Sequence, residues 1–99
     1  MSKTSVLAKL TCKEGSRDAA LEILAQQVSA VANEEGTEVY ALHSDNSDNV
    51  TIWFYELYTD KAALAFHGGT DVMKALGPHR AGRPELIMCT PVAAKGLAL

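Results

Sequence analysis

Long apolar runs, clustered positive charge and closely spaced cysteines are all missing from this 99-residue chain. Its longest apolar stretches are far short of a membrane span, and its first residues lead straight into a strand pattern. We therefore expect neither a membrane segment nor a signal peptide. The nine basic residues are scattered and the net charge is −3. Without a basic stripe interleaved with aromatics, nucleic-acid binding is not expected.

Recognisable motifs for cofactors and metals are also missing. The two cysteines, Cys12 and Cys89, are too far apart for a metal-binding knuckle. Each lies in an apolar, strand-like run, which predicts small buried side chains and a reducing, cytoplasmic location. There is no glycine-rich phosphate loop, dinucleotide fingerprint or Cys-x-x-Cys pair. The three histidines do not have the spacing of a known metal motif, so we predict no metal site.

What is present is a regular succession of strand and helix patterns. Alternating side chains predict a strand over Thr4–Lys13, and helical spacing predicts a helix from its N-cap Ser16 to about Gly36. The later elements are a strand over Glu38–Asp45, a strand over Asn49–Tyr58, a helix capped by Thr59 and interrupted at Gly68-Gly69, and a strand over Glu85–Val92. The order βαββαβ predicts one ferredoxin-like α+β domain over residues 1–99, with a four-stranded antiparallel sheet and helices on one side.

The third strand is apolar on both faces. Ile52 and Phe54 lie on one face, and Trp53, Tyr55 and Leu57 lie on the other. Two helices can cover only one face of such a sheet, and a bare patch of this width exceeds what monomers usually expose. We therefore predict a homodimer that packs sheet to sheet around a twofold axis through Trp53, Tyr55 and Leu57.

Glu56 and His67 are the main candidates for chemistry. Glu56 is a carboxylate in an otherwise apolar strand, and a crossover helix could bring His67 near it. In such a pair, His67 would be the general base or proton shuttle and Glu56 would orient it. The alternative is a hydrogen bond that only pins the helix to the sheet. Phe54, Ile52 and Tyr58 share the face of Glu56 and are either pocket lining or plain core.

A loop rich in glycine and proline follows the second helix. It contains His79, Arg80 and Arg83, which could close over an anionic ligand. The same residues could equally form an ordinary solvated loop. The sequence leaves both interpretations open.

One segment resembles a known family. It comprises Glu56-Leu57-Tyr58, Asp60, Ala63-Leu64, His67 and Thr70. This pattern resembles the E-x-[WY]…A-L…H-x-x-[ST] segment of the antibiotic biosynthesis monooxygenase family. The stretch Glu35–Tyr40 is similar to the family's entry to the second strand, although Glu35 and Thr37 replace its Pro and Cys. The resemblance implies a dimeric α+β barrel made of two ferredoxin-like subunits.

The resemblance also implies an activity and a set of residues. Members of the family include small monooxygenases that oxidise phenols or quinols without metal or flavin, so no cofactor is expected. Carried onto this chain, the catalytic residues would be Glu56, Tyr58 and His67. The predicted substrate contacts, which rest on the chain's own pattern rather than on the resemblance, are Phe54, Ile52, Phe66 and Arg80.

Two further functions remain open at the level of sequence. One is non-redox proton transfer on a molecule like a sugar phosphate, for which Arg80 and Arg83 would matter most. The other is a dimer that binds a small ligand without turnover. Haem degradation, known in related enzymes, is not expected, because Ala8, Tyr58 and Gly77 stand where those enzymes need Asn, Trp and His.

Overall fold

The computed structural model describes residues 3–66 and 70–99. Its elements are β1 (Thr4–Thr11), α1 (Arg17–Ala30), a 3₁₀ turn (Val31–Asn33), β2 (Thr37–Ser44), β3 (Thr51–Tyr58), α2 (Lys61–Phe66), α3 (Thr70–Leu76) and β4 (Glu85–Cys89). The predicted βαββαβ order is confirmed, with the second helical region divided into α2 and α3. In the two described ranges, no helix has the length and apolar character needed to cross a membrane.

The four strands form one antiparallel sheet in the order β2-β3-β1-β4. This is the predicted ferredoxin-like α+β arrangement. The register sets the position of every inner side chain. Val6 of β1 lies between Glu56 of β3 and Met88 of β4, and Ala8 lies between Phe54 and Leu86.

The inner face of the sheet, on the side of the helices, holds the core. Its alternate residues on β1 and β3 pack against the apolar stripe of α1 and the end of α3. The buried cluster consists of Val6, Ala8, Leu10, Cys12, Ala20, Leu24, Ile52, Phe54, Tyr58 and Leu76. Burying each large side chain of this set contributes about 2 kcal/mol.

The outer face of the sheet also carries large apolar side chains. Leu7, Trp53 and Ile87 are 41%, 39% and 58% exposed. The predicted two-faced sheet is therefore correct. Leu57 is the exception, because it is only 1% exposed within the single chain. The prediction that Leu57 contributes to a dimer contact is wrong, since its surface is already buried.

Helix capping differs from the sequence prediction at both helices. Ser16 makes no side-chain capping hydrogen bond at α1. At α2 the backbone N–H of Ala63 donates to Asp60 Oδ1 over 2.8 Å, so Asp60 is the capping residue. Thr59 instead donates from Oγ1 to Glu38 Oε2 over 2.9 Å. The hydroxyl of Thr59 is therefore engaged with β2 rather than with the helix.

The start of α2 lies tightly against the turn before β2. Gly36 has no side chain, and a Cβ placed there would collide with the Cβ of Ala63. The backbone N–H of Thr59 also donates to the carbonyl of Gly36 over 2.9 Å. Only glycine permits this approach, which fixes α2 over the inner face of the sheet.

Candidate active site between the sheet and the helices

A cleft of about 710 Å³ separates the inner face of the sheet from the helices. A volume between roughly 300 and 1,000 Å³ is typical of small-molecule sites. The floor and roof are almost entirely apolar. The lining residues are Val6, Ala8, Leu10, Leu24, Tyr40, Phe54, Glu56, Leu64, Val72, Met73, Leu76, Arg80, Arg83, Pro84, Leu86 and Met88.

The cleft opens on the side of β4. Leu86 and Met88 pair with Ala8 and Val6, so they share the inner face of the sheet. Yet Leu86 is 62% exposed and Met88 is 55% exposed, whereas Val6 and Ala8 are buried. The helices therefore cover β1 and β3 but leave β4 open. A ligand could enter over this edge and reach the covered strands.

Glu56 is the only carboxylate among the residues described as lining the cleft. Its side chain is buried, with 8% of the residue exposed. The Tyr58 hydroxyl donates a hydrogen bond of 2.5 Å to Glu56 Oε1. A buried carboxylate is costly without donors, and a short O–H···O⁻ bond is among the stronger ones available to it. Tyr58 thus stabilises the ionised Glu56 within the apolar wall.

Two tyrosines flank Glu56 and stay protonated at neutral pH. Burial, followed by the hydrogen bond to Glu56, raises the pKa of Tyr58 far above its ordinary value. Burial, followed by the negative charge of Glu56, likewise raises the pKa of Tyr40. Tyr40 lies opposite Glu56 on β2, and its ring centroid is 5.8 Å from that of Phe54. Both phenols can therefore donate hydrogen bonds but cannot serve as bases.

Arg80 reaches the cleft from the loop before β4. Its backbone forms a bridge opposite Cys12, where Lys13 N donates to His79 O over 2.7 Å and Ala81 N donates to Thr11 O over 2.8 Å. Directly opposed residues of an antiparallel pair project to the same side of the sheet. Cys12 is part of the inner core, so the side chain of Arg80 also lies on the inner side.

Some of the residues predicted for the site line the cleft, and others lie in the core. Glu56, Phe54 and Arg80 line it, whereas Ile52 and Tyr58 are fully buried in the core and do not line it. Tyr58 therefore does not contact a ligand in the cleft directly and can affect it only through its hydrogen bond to Glu56. Two other predicted site positions, the side chain of Phe66 and all of His67, lie outside the described residues.

Sequence reasoning missed Tyr40 and the roof of the cleft. The pairing of Tyr40 with Glu56 depends on the register between β2 and β3, which shifts at an irregularity between Thr37 and Val39, so spacing alone does not predict it. The roof residues from α3, Val72 and Met73, follow ordinary helical spacing and carry no separate signal. Among the described residues, no three His, Cys, Asp or Glu side chains come together as a possible metal site.

Comparison with other proteins gives the family. The model of the family named antibiotic biosynthesis monooxygenase matches residues 4–77. A Caulobacter crescentus protein described as a candidate antibiotic biosynthesis monooxygenase is 30% identical; the match covers 93% of this chain and 92% of that one, with a TM-score of 0.82. A similarly described Chloroflexus aurantiacus protein is 26% identical over 98% and 100% of the two chains, with a TM-score of 0.77.

Other similar structures show the fold alone. Rv0793 from Mycobacterium tuberculosis is 18% identical, with 94% of this chain and 98% of that one covered and a TM-score of 0.83. No functionally curated protein matches the sequence. The family match spans β1 through α3, and the Caulobacter relative extends the likeness over nearly the whole chain. This chain therefore belongs to the antibiotic biosynthesis monooxygenase family.

Proposed function

We propose that this protein is a cofactor-independent monooxygenase that oxidises a small aromatic, quinol-like substrate with dioxygen. The observation that supports this most is the buried Glu56 carboxylate in the wall of a 710 Å³ apolar cleft. A planar aromatic ring suits walls made of aliphatic and aromatic side chains. Family membership supports the reaction type.

Glu56 has the properties required of a base for a phenol. Its carboxylate faces a mainly apolar cleft, and a phenolic O–H that donated to it would be held close to the acceptor. Transfer of the proton leaves an electron-rich phenolate between apolar walls. In such a site the anion is poorly solvated, so it gives up an electron to dioxygen more readily.

The overall chemistry balances without a cofactor. The substrate supplies electrons to dioxygen, one oxygen atom enters the ring system, and the other leaves as water. For a reactive CH₂ group the change is CH₂ + O₂ → C=O + H₂O. Glu56 accepts the phenolic proton at the start and can return it to the departing oxygen at the end. Tyr58 holds the Glu56 carboxylate by the 2.5 Å hydrogen bond while this happens.

The base in this proposal is Glu56 rather than His67, and the family resemblance supports His67 as a second proton-transfer residue. In the chain it follows Phe66, the last residue of α2. A histidine titrates near neutral pH and is suited to moving a proton between substrate and carboxylate. His43 provides a matched control, because it is exposed on the far side of the sheet, paired with Trp53.

The test is oxygen uptake with anthrone and simple quinols, combined with ¹⁸O₂ labelling. A monooxygenase consumes one O₂ for each anthrone and places one ¹⁸O in the new carbonyl of anthraquinone. His67→Ala should lower the rate about 100-fold or more, and His43→Ala should leave it unchanged. Hydrogen peroxide as the reduced product, or equal rates in the two histidine variants, would refute the proposal.

A second candidate is non-redox proton transfer on an anionic, sugar-phosphate-like molecule. Arg80 and Arg83 in the cleft wall favour it, whereas the apolar floor does not. Its signature would be exchange of a substrate C–H proton with D₂O under argon, without oxygen uptake. The open cleft argues against a structural dimer whose pocket is filled by its own side chains. The third possibility, a dimer that binds a small ligand without turnover, would show ligand binding with neither oxygen uptake nor proton exchange.

We further propose that two chains form a dimeric barrel through the outer face of the sheet. Leu7, Trp53 and Ile87 leave an apolar surface there, and Tyr55 is half-buried beside them. Burying several such side chains per subunit would favour association by several kcal/mol. Light scattering during size-exclusion chromatography should give a dimer for the wild type and a monomer for Trp53→Glu. A wild-type monomer would refute this arrangement.

A further inference from the structure

The cleft carries opposite charges at its two ends. Glu56 and Tyr40 are at the level of Val6 on β1, whereas Arg80 is opposite Cys12. At about 3.3 Å per residue, these two levels are roughly 20 Å apart along the extended strand. The stretch between them is apolar on the sheet side, with Ala8 and Leu10 facing the cleft. A ligand lying along β1 therefore meets a carboxylate at one end and guanidinium groups at the other.

The guanidinium group of Arg80 lacks a full set of partners. Its Nη1 donates to the carbonyl of Gly82 over 3.2 Å. Its Nε is buried and, within residues 3–66 and 70–99, is the only buried side-chain nitrogen or oxygen without a hydrogen-bond partner. Because Nε is shielded from solvent, an anion in the cleft would accept hydrogen bonds from the terminal nitrogens of the Arg80 guanidinium group instead.

No carboxylate of the described protein neutralises this end of the cleft. The ion pairs found among the described residues are Lys3–Glu38 and Arg17–Asp48, and neither includes Arg80 or Arg83. Glu85, the nearest acid in sequence, pairs with Lys9 and lies on the outer face. Arg83 adds a second positive charge to the same wall. Two arginines that line the same cleft, with no counter-ion among the described residues, favour an anionic group on the ligand.

We propose that the ligand of this cleft is an aromatic molecule with an anionic group, carboxylate or phosphate, that binds Arg80 and Arg83. Its hydroxyl-bearing ring lies toward Glu56, and its body of two or more rings fills the apolar middle. This assignment rests on the proposed function for the direction of the hydroxyl end. The anion at the arginine end fixes the direction of the substrate, and hence which ring carbon meets dioxygen.

Isothermal titration calorimetry under argon tests this without turnover. Four probes share one ring system: 6-hydroxy-2-naphthoate, 2-naphthoate, 2-naphthyl phosphate and 2-naphthol. The wild type should bind the first three at least about tenfold more tightly than 2-naphthol, as charge-assisted hydrogen bonds predict. The stronger of the two simple anions identifies the natural group as carboxylate or phosphate. Equal affinity for the anions and 2-naphthol would overturn the proposal.

Substitutions of the two arginines test where the anionic group of the ligand binds. Arg80→Gln should weaken the three anions about tenfold or more and leave 2-naphthol within about twofold, and Arg80→Lys should recover part of the loss. Arg83→Gln provides an independent variant if Arg80→Gln does not fold. Lys61→Gln removes one exposed positive charge outside the cleft and should change nothing. A loss in Lys61→Gln equal to that in Arg80→Gln would contradict a specific site.

The outcomes separate this inference from the oxygen chemistry. Anion preference that depends on Arg80, without any oxygen uptake, would support the ligand assignment and refute the monooxygenase. Oxygen uptake with neutral quinols, without any preference for anionic ligands, would support the monooxygenase and refute the ligand assignment.

Discussion

Tyr58 and Glu56 lie two residues apart on the same face of β3, and the tyrosine hydroxyl donates to the carboxylate over 2.5 Å. The tyrosine is fully buried, whereas the carboxylate faces the cleft. One residue therefore belongs to the core and the other to the site. The hydrogen bond between them links the stability of the sheet to the protonation of the site.

Tyr58→Phe should affect both stability and pH dependence. Without the hydroxyl, Glu56 loses a donor that favours its ionised form, so the acidic limb of the activity profile should move to higher pH. The free energy of unfolding should fall by about 1–3 kcal/mol. Urea melts and a pH profile of anthrone oxidation measure the two effects. Tyr55→Phe, on the outer face, is the control, and an unshifted profile in Tyr58→Phe would count against the link.

Gly36→Ala should displace α2 from the sheet. The new methyl group would occupy the space of the Ala63 side chain, and the cost of such overpacking is about 1–3 kcal/mol. Gly82→Ala is the matched control, because a Cβ at Gly82 meets no atom within 4 Å. Thermal melts of the two variants should differ clearly. Equal melting temperatures would show that α2 can move away freely.

Acid should disturb the surroundings of the only tryptophan, Trp53. Hydrogen bonds from Ser47 and from the Trp53 indole lower the pKa of Asp45 from 3.8 to about 2. Because this pKa is depressed by folding, the carboxylate stabilises the fold above pH 3.8. That contribution is lost as the pH falls toward about 2. Tryptophan fluorescence should therefore change in this window.

The control for this titration is Asp45→Ala. It removes the acceptor that Trp53 Nε1 contacts over 2.7 Å, so its fluorescence should already resemble the acid form at neutral pH. Superimposable acid titrations of Asp45→Ala and the wild type would exclude Asp45 as the cause.

Substitutions at Leu57 and Ile87 should distinguish a loss of folding stability from a loss of dimerisation. Leu57 is 1% exposed, so Leu57→Ala should lower the free energy of unfolding by about 2–5 kcal/mol while the dimer persists. Ile87 is 58% exposed on the outer face, so Ile87→Glu should weaken the dimer and leave the subunit folded. Urea melts with sedimentation velocity distinguish the two cases. A dimer lost in Leu57→Ala but kept in Ile87→Glu would reverse the assignment.

The alternation of side chains along the strands was enough to predict the fold and the face of the sheet on which Glu56 lies. Residues 52, 54, 56 and 58 share one side of a strand whatever the register, so their common face could be predicted from spacing alone. The burial of Leu57 could not be predicted from spacing. Leu57 and Trp53 both occupy outer-facing positions of the strand, and they differ only in what packs over them. Thr59 and Asp60 are both good N-caps, and the contact of Thr59 with Glu38 decided between them.

The arginine end of the cleft depends on a contact that has no sequence signal. Arg80 lies in a loop without periodicity, and its place on the inner side follows from a single bridge to Cys12. Such a pairing joins residues far apart in the chain and depends on tertiary structure. The sequence could name Arg80 and Arg83 as candidates, but it could not place them in the same wall as Glu56.

The most direct test of Glu56 as the base is the rate of anthrone oxidation in Glu56→Gln, compared with Glu38→Gln. Glutamine keeps the size of the Glu56 side chain but cannot accept the phenolic proton, so kcat should fall about 100- to 10,000-fold. Glu38 is exposed and pairs with Lys3 away from the cleft, so its variant should retain the wild-type rate. Equal rates in Glu56→Gln and the wild type would contradict the central role of the buried carboxylate.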